Sequence, residues 1–318
     1  MLEFNSKFNG FNPCFSRVIL YFRSNHFIMK RVLLGILILP IVAFGQAGSE
    51  ILLFDLQLKK NRVTISKPKN ITNRKGYDNQ PSFHPDKPLI YYSSFNNEGR
   101  SDIKIYNYKT DETKSLTQTS EREYSPTLTP DKEFISCIIQ RDNGAQDLGK
   151  YPVEGGEPVV IIDNLIVGYH VWADNSHIGL FVLGKDGAPN TFHYLRLPTK
   201  TDTIITQNIG RSLHRIPGEN SISFVHKISD KEWIVKKFNP IKSEITSIGA
   251  TLPGREDLCW TSDGKIIMSD GAKIFWMDPK TDSTWRAVQI KTGAEMLKGV
   301  TRLAVDKSRN KLAVVVTE

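Results

Sequence analysis

Pro81-Ser82-Phe83-His84-Pro85-Asp86, followed by the apolar run Leu89-Ile90-Tyr91-Tyr92, decides the fold because it recurs along the chain. Phe83 stands just before a turn. Equivalent positions are Leu128 in Pro-Thr-Leu-Thr-Pro-Asp, Trp172 before Ala-Asp-Asn, Ile216 before Pro-Gly-Glu-Asn, Trp260 before Thr-Ser-Asp-Gly and Val305 before Asp-Lys-Ser. Successive anchors are 45, 44, 44, 44 and 45 residues apart, so the chain carries six copies of one unit.

Working outward, each anchor and its turn lead into a compact apolar run, such as Phe134 to Ile139, Ile178 to Val182 or Leu312 to Val316. Short apolar runs between turn signals read as buried strands. A third segment alternates, as in Asp102 to Tyr108, Thr191 to Leu197 and Trp233 to Phe238, which suits a sheet with one face more buried than the other. Hairpin signals at Lys109-Thr110-Asp111-Glu112, Glu154-Gly155-Gly156-Glu157 and Pro279-Lys280-Thr281-Asp282 introduce a fourth. Four strands in a unit of this length make a propeller blade. The reading is an all-β, six-bladed β-propeller with four antiparallel strands per blade over residues 46–318. Complete blades are expected at 76–119, 122–164, 167–210, 211–254 and 255–299, and the sixth from 300–318 plus 50–72.

The ends support a ring. Glu50 to Leu56 matches a third strand and Arg62 to Ile65 a fourth, while Glu318 follows directly after a second strand. Two strands from each terminus complete one sheet and leave no half-blade with open edges. A β-sandwich would not repeat a turn-anchored residue at near-constant intervals, and a β-helix coil is shorter than this unit.

The tract at Pro81 to Asp86, with its echoes at Pro126 to Asp131 and Trp260 to Lys265, resembles the WD40-like repeat of TolB-type propellers, roughly Pro-x-Trp-Ser-Pro-Asp-Gly. The resemblance covers nearly all of residues 50–318. It is clear in the blades anchored at 83, 128 and 260, and largely lost around Ile216. It implies an exported location and a habit of binding other proteins. The α/β domain that accompanies a full TolB propeller has no counterpart in this reading, so TolB's role in the Tol-Pal system is not carried over.

Met29-Lys30-Arg31, the apolar run Val32 to Val42 and Ala43-Phe44-Gly45 read as a signal peptide over 29–45, with cleavage after Gly45 and a periplasmic or secreted product. Residues 1–28 then read as an over-extended start upstream of Met29. The run is too short to leave a stable membrane span. The formal charge is +8, but the first 45 residues hold five basic groups and one acid, leaving 37 against 33, or about +4. So small an excess gives no pull toward nucleic acid. Cys137 and Cys259 fall in blades on opposite sides of the ring, beyond disulfide reach, and are expected as free buried thiols.

No Gly-x-Ser-x-Gly elbow, Walker loop, His-Glu-x-x-His motif or EF-hand loop is present, and no zinc spacing, so neither catalytic residues, metal ligands nor a cofactor are assigned. A propeller's innermost strands line its channel. The residues entering them are Tyr77, Asp78, Arg122, Glu123, Tyr124, Tyr169, His170, His214, Arg255, Glu256, Asp257 and Arg302. Aromatic area with orienting charges suits recognition of a protein or peptide partner. The leading reading is therefore an exported, monomeric, non-catalytic binding module of the bacterial cell envelope. The alternative is an enzyme of the gluconolactonase class, with a divalent metal held by Asp78, Glu123, Glu256 and Asp257 in the channel.

Three further groups have local roles to fill. His84 reads as a solvated turn residue, and His177, His193 and His226 as structural. Asp86, Asp131 and Asp263 recur in register and are expected to bond turn amides. Seven basic residues between Lys59 and Lys75, with no acid among them, are expected to guard an outer edge strand rather than meet anionic lipid.

Overall fold

The computed structural model describes residues 48–318 apart from position 309. The upstream stretch 1–28, the signal segment 29–45 and its cleavage point lie outside the described residues.

The chain opens with β1 (Ser49–Lys59) and β2 (Arg62–Asn70), then builds five blades in order. The first holds β3 (Asp78–Phe83), β4 (Leu89–Phe95), β5 (Ser101–Asn107) and β6 (Glu112–Ser115). The second holds β7 (Arg122–Leu128), β8 (Phe134–Gln140), β9 (Gln146–Pro152) and β10 (Val159–Ile162). β11 (Val167–Trp172), β12 (His177–Val182), β13 (Thr191–Arg196) and β14 (Thr201–Gln207) form the third. The fourth comprises β15 (Ile209–Arg215), β16 (Ile222–Lys227), β17 (Trp233–Asn239) and β18 (Glu244–Ala250). The fifth comprises β19 (Leu258–Trp260), β20 (Ile266–Ser269), β21 (Ile274–Met277) and β22 (Arg286–Ala287). After β23 (Gln289–Ile290) come β24 (Arg302–Asp306) and β25 (Lys311–Thr317). The protein is a six-bladed β-propeller whose inner strands, β3, β7, β11, β15, β19 and β24, neighbour one another in sequence order around a ring.

Closure occurs between the chain ends. β1 pairs antiparallel with β25, setting Ile51 opposite Val315 and Phe54 opposite Leu312, and gives the sheet order β2-β1-β25-β24. The closing sheet also carries a fifth strand that the repeat did not suggest. β22 is only two residues long, and the chain then crosses to the neighbouring blade, where β23 pairs parallel with β2 at Thr64 and Ile65. The amide of Lys67 donates to the Thr292 hydroxyl at 2.9 Å and fixes this contact.

Second strands are buried on both faces, as the uninterrupted apolar runs require: Ile135 to Ile139 are all buried, and so are Leu312 to Val316. Outer strands such as β14 and β18 are largely exposed. The core is divided into six clusters, one at each seam between adjacent blades. Thus Ile51, Ile90, Tyr92 and Val315 pack between the closing blade and the first, while Ile138, Leu148, Ile178 and Leu180 pack between the second and third. Cys137 and Cys259 are free and buried, in the second and fifth blades.

The anchor tryptophans tie seams together. Trp172 donates through Nε1 to Ser136 Oγ of the preceding blade, and Trp260 to Ser223 Oγ of its own predecessor, both at 2.8 Å. The turns beyond the anchors do not all behave alike. Asp131 accepts the Glu133 amide at 3.0 Å and the Thr129 hydroxyl at 2.5 Å, whereas Asp263 accepts from the Thr261 hydroxyl at 2.6 Å and Asp86 pairs with Lys132 at 2.6 Å. His84 is buried, contrary to the solvated position read from sequence. Its Nδ1 accepts the amides of Asp86 and Lys87, both at 3.0 Å, from inside the turn. The basic run extends from the end of β1 through β2 to the turn after it, and three of its members are ion-paired: Lys67 with Asp55, Lys69 with Asp111 and Arg74 with Asp78.

Candidate functional site

The six inner strands enclose a channel with two mouths. The near mouth is ringed by the starts of these strands and opens into a cavity of about 520 Å³ lined by Tyr77, Asn79, Tyr124, Gln140, Gln146 and Thr301. The far mouth lies at their ends and opens into a cavity of about 510 Å³. Gln80, Tyr169, Arg211 and Arg302 line both cavities and form the waist between them.

The waist is bridged. Arg302 sits on β24 and Tyr169 on β11, which belong to opposite blades of a ring of six. The Arg302 guanidinium nevertheless donates to the Tyr169 hydroxyl at 2.6 Å and lies 4.9 Å from the ring centroid. Its other nitrogen donates to Asp257 at 3.2 Å, and Arg211 donates to the second oxygen of the same carboxylate at 2.5 Å. Burial pulls the Arg211 guanidinium down, but the Asp257 carboxylate outweighs it and holds the arginine charged. Glu256 is taken by Lys227 at 2.9 Å and by Arg211 at 3.5 Å. Three blades thus share one charge network, and Tyr169 extends it across the channel.

Gln80 and Ser125 occupy equivalent places on β3 and β7, where both strands slip register by a bulge. Their φ angles are 57° and 56°, left-handed values that non-glycine residues seldom adopt. The Gln80 side-chain oxygen accepts the Ser125 amide at 2.7 Å and the Ser93 hydroxyl at 3.1 Å. These bonds hold the bulged backbone against the channel.

Two imidazoles face the far cavity. His170 Nε2 lies 2.7 Å from Ser136 Oγ, and burial lowers its pKa to about 4. His214 Nε2 lies 3.0 Å from Ser212 Oγ, and burial, then Lys307, bring it to about 4. Both are neutral at pH 7.

Of the residues singled out from the sequence, Tyr77, Tyr124, Tyr169, His170, His214, Asp257 and Arg302 line these two cavities. Arg255 and Glu256 line a smaller hollow of about 150 Å³ that shares Arg211, Asp257 and Arg302. Asp78 and Glu123 are fully buried in sheet seams. Asp78 accepts from Arg74 at 2.9 Å, while Glu123 accepts from Thr119 at 2.5 Å and Tyr151 at 3.0 Å, and burial raises both carboxyls. Arg122 is held outward by Asp142 at 3.0 Å. Arg211 and Gln80 were not read from the sequence. Arg211 stands 46 residues before Asp257, but its blade has lost the anchor motif that would have fixed the register. Gln80 gives no signal beyond its place one residue before the Pro-Ser-Phe tract.

The carboxylates that a channel-bound divalent cation would need are already occupied: Asp78 and Glu123 in seams, Glu256 and Asp257 by lysine and arginine. Among the described residues, no group of three or more His, Cys, Asp or Glu side chains could hold a metal ion. No described helix is long and apolar enough to cross a membrane.

No protein-family model matches the sequence, and no curated protein matches it. Solved structures do. A TolB structure from Agrobacterium tumefaciens is similar at a TM-score of 0.64 and 13% identity, over 86% of this chain and 99% of that one. TolB from Acinetobacter baumannii is similar at 0.55 and 12% identity, over 85% of this chain and 64% of that one. An oligogalacturonate lyase in complex with manganese is similar at 0.54 and 13% identity, over 81% and 83%. At such identities the likeness speaks for fold, and fold alone does not name an activity. The chain is accordingly a six-bladed propeller with the TolB-like fold.

Proposed function

We propose that this protein is an exported, non-catalytic binding module of the bacterial cell envelope that receives a protein or peptide partner at the near mouth of its channel. The observation that carries this reading is the convergence of Tyr77, Tyr124 and Tyr169 with Arg211 and Arg302 around one cavity of about 520 Å³. Tyrosine and arginine are the residue types that dominate binding energy at protein interfaces, and they do so in central, desolvated pockets. The shared Asp257 pre-positions both arginines, so little side-chain freedom is lost on binding. The TolB-like fold supports an envelope location, where propellers of this kind bind other proteins. The metal-dependent alternative of the gluconolactonase class is less favoured, because its carboxylates are held by cations or buried in seams.

The test is capture from an envelope extract with residues 46–318 as bait, against a Tyr124→Ala bait. A specific partner that the variant loses is the expected result. Failure to capture one, together with a clean hydrolytic activity, would reverse the preference.

A further inference from the structure

The far cavity meets the near one at the waist, which the Arg302–Tyr169 bridge spans. Ser82, Ser125 and His170 line its wall.

The rim adds charge of one sign. Arg215 and Lys307 both line the cup, are exposed, and have no carboxylate within ion-pair reach among the described residues. Lys132 is also there, but Asp86 neutralises it at 2.6 Å. The carboxylates lining the cup are engaged elsewhere: Asp257 by two arginines, and Asp306 by the Tyr108 hydroxyl at 2.5 Å and the Ser308 amide at 2.9 Å. Two cations that repel each other, with no anion between them, favour a ligand that supplies one.

We propose that the far cup is a binding site for a compact carboxylate-bearing ligand, its carboxylate held by Arg215 and Lys307. A volume of about 510 Å³ falls within the range of small-ligand pockets. The bridge across the waist favours a compact molecule over a chain that threads through. The carboxylate could come from an acidic sugar or from a short acidic peptide.

Calorimetric titration of the protein with digalacturonate, triglutamate and the neutral disaccharide cellobiose separates these cases. One-to-one binding of either acid, at least about tenfold weaker in the Arg215→Gln/Lys307→Gln variant, is the expected result. Which acid binds identifies the source of the carboxylate. Binding of neither acid, cellobiose binding as tightly as the acids, or a smaller loss in the variant would overturn the proposal. Circular dichroism of the variant checks its fold, and both changed side chains are exposed. Because the substitutions are at the far mouth, partner capture at the near mouth persists in this variant even if the cup proves empty, so the two readings fail separately.

Discussion

Closing the ring with the chain ends makes stability depend on a strand located at the extreme C-terminus. Val315 is fully buried at the centre of β25 and stands opposite Ile51 on β1. Val315→Ala removes two methyl groups at about 0.8 kcal/mol each, near 1.6 kcal/mol in transfer alone. The unfilled space in a sheet held on both sides raises the loss to about 2–3 kcal/mol. For a unit of this size that corresponds to a fall in Tm of roughly 4–5 °C. Thermal unfolding followed by circular dichroism reads it, with Ile204→Ala as control, since Ile204 is 63% exposed on β14 and its loss is expected to stay within about 0.5 kcal/mol. A double-mutant cycle with Ile51→Val then isolates the contact, with an expected coupling of about 0.5–1 kcal/mol. A Tm change within about 1 °C for Val315→Ala, or zero coupling to Ile51, would refute closure by direct pairing of the termini.

Four other consequences can be measured. Asp257→Asn leaves Arg211 and Arg302 without their shared anion, so it is expected to destabilise by about 2–4 kcal/mol, well beyond the roughly 1 kcal/mol of Tyr169→Phe, in denaturant titrations. Trp260→Phe strips the buried Ser223 hydroxyl of its donor across a blade seam and is expected to cost about 1–2 kcal/mol by the same measurement. His170 has a pKa near 4 in the folded chain against 6.5 for the free group, so between those values the unfolded chain binds a proton that the folded one refuses. Stability therefore drops as pH falls through that window, by up to about 3 kcal/mol, and His170→Gln should flatten the profile of stability against pH. Glu123 works in the opposite direction: its raised carboxyl loses stability as pH rises above the ordinary glutamate range, and Glu123→Gln should remove that slope.

The sequence by itself determined the blade count and the manner of closure. Both follow from local signals: a turn-anchored residue every 44 or 45 positions, apolar runs matched to two-faced burial, and complementary strand pairs at the two ends. It also placed Cys137 and Cys259 in opposite blades, since the repeat register converts sequence separation into angle around the ring. Tertiary structure alone decided which inner-strand residues share a cavity. Asp78 and Glu123 follow directly on, or directly precede, tyrosines that line the near cavity, yet they point into seams, because neighbouring residues on a strand face opposite ways. The left-handed backbone at Gln80 and Ser125, the two-residue β23 and the reach of Arg302 to Tyr169 leave no trace in composition or periodicity. Each arises from side chains and backbone far apart in the chain that meet only once the ring has closed.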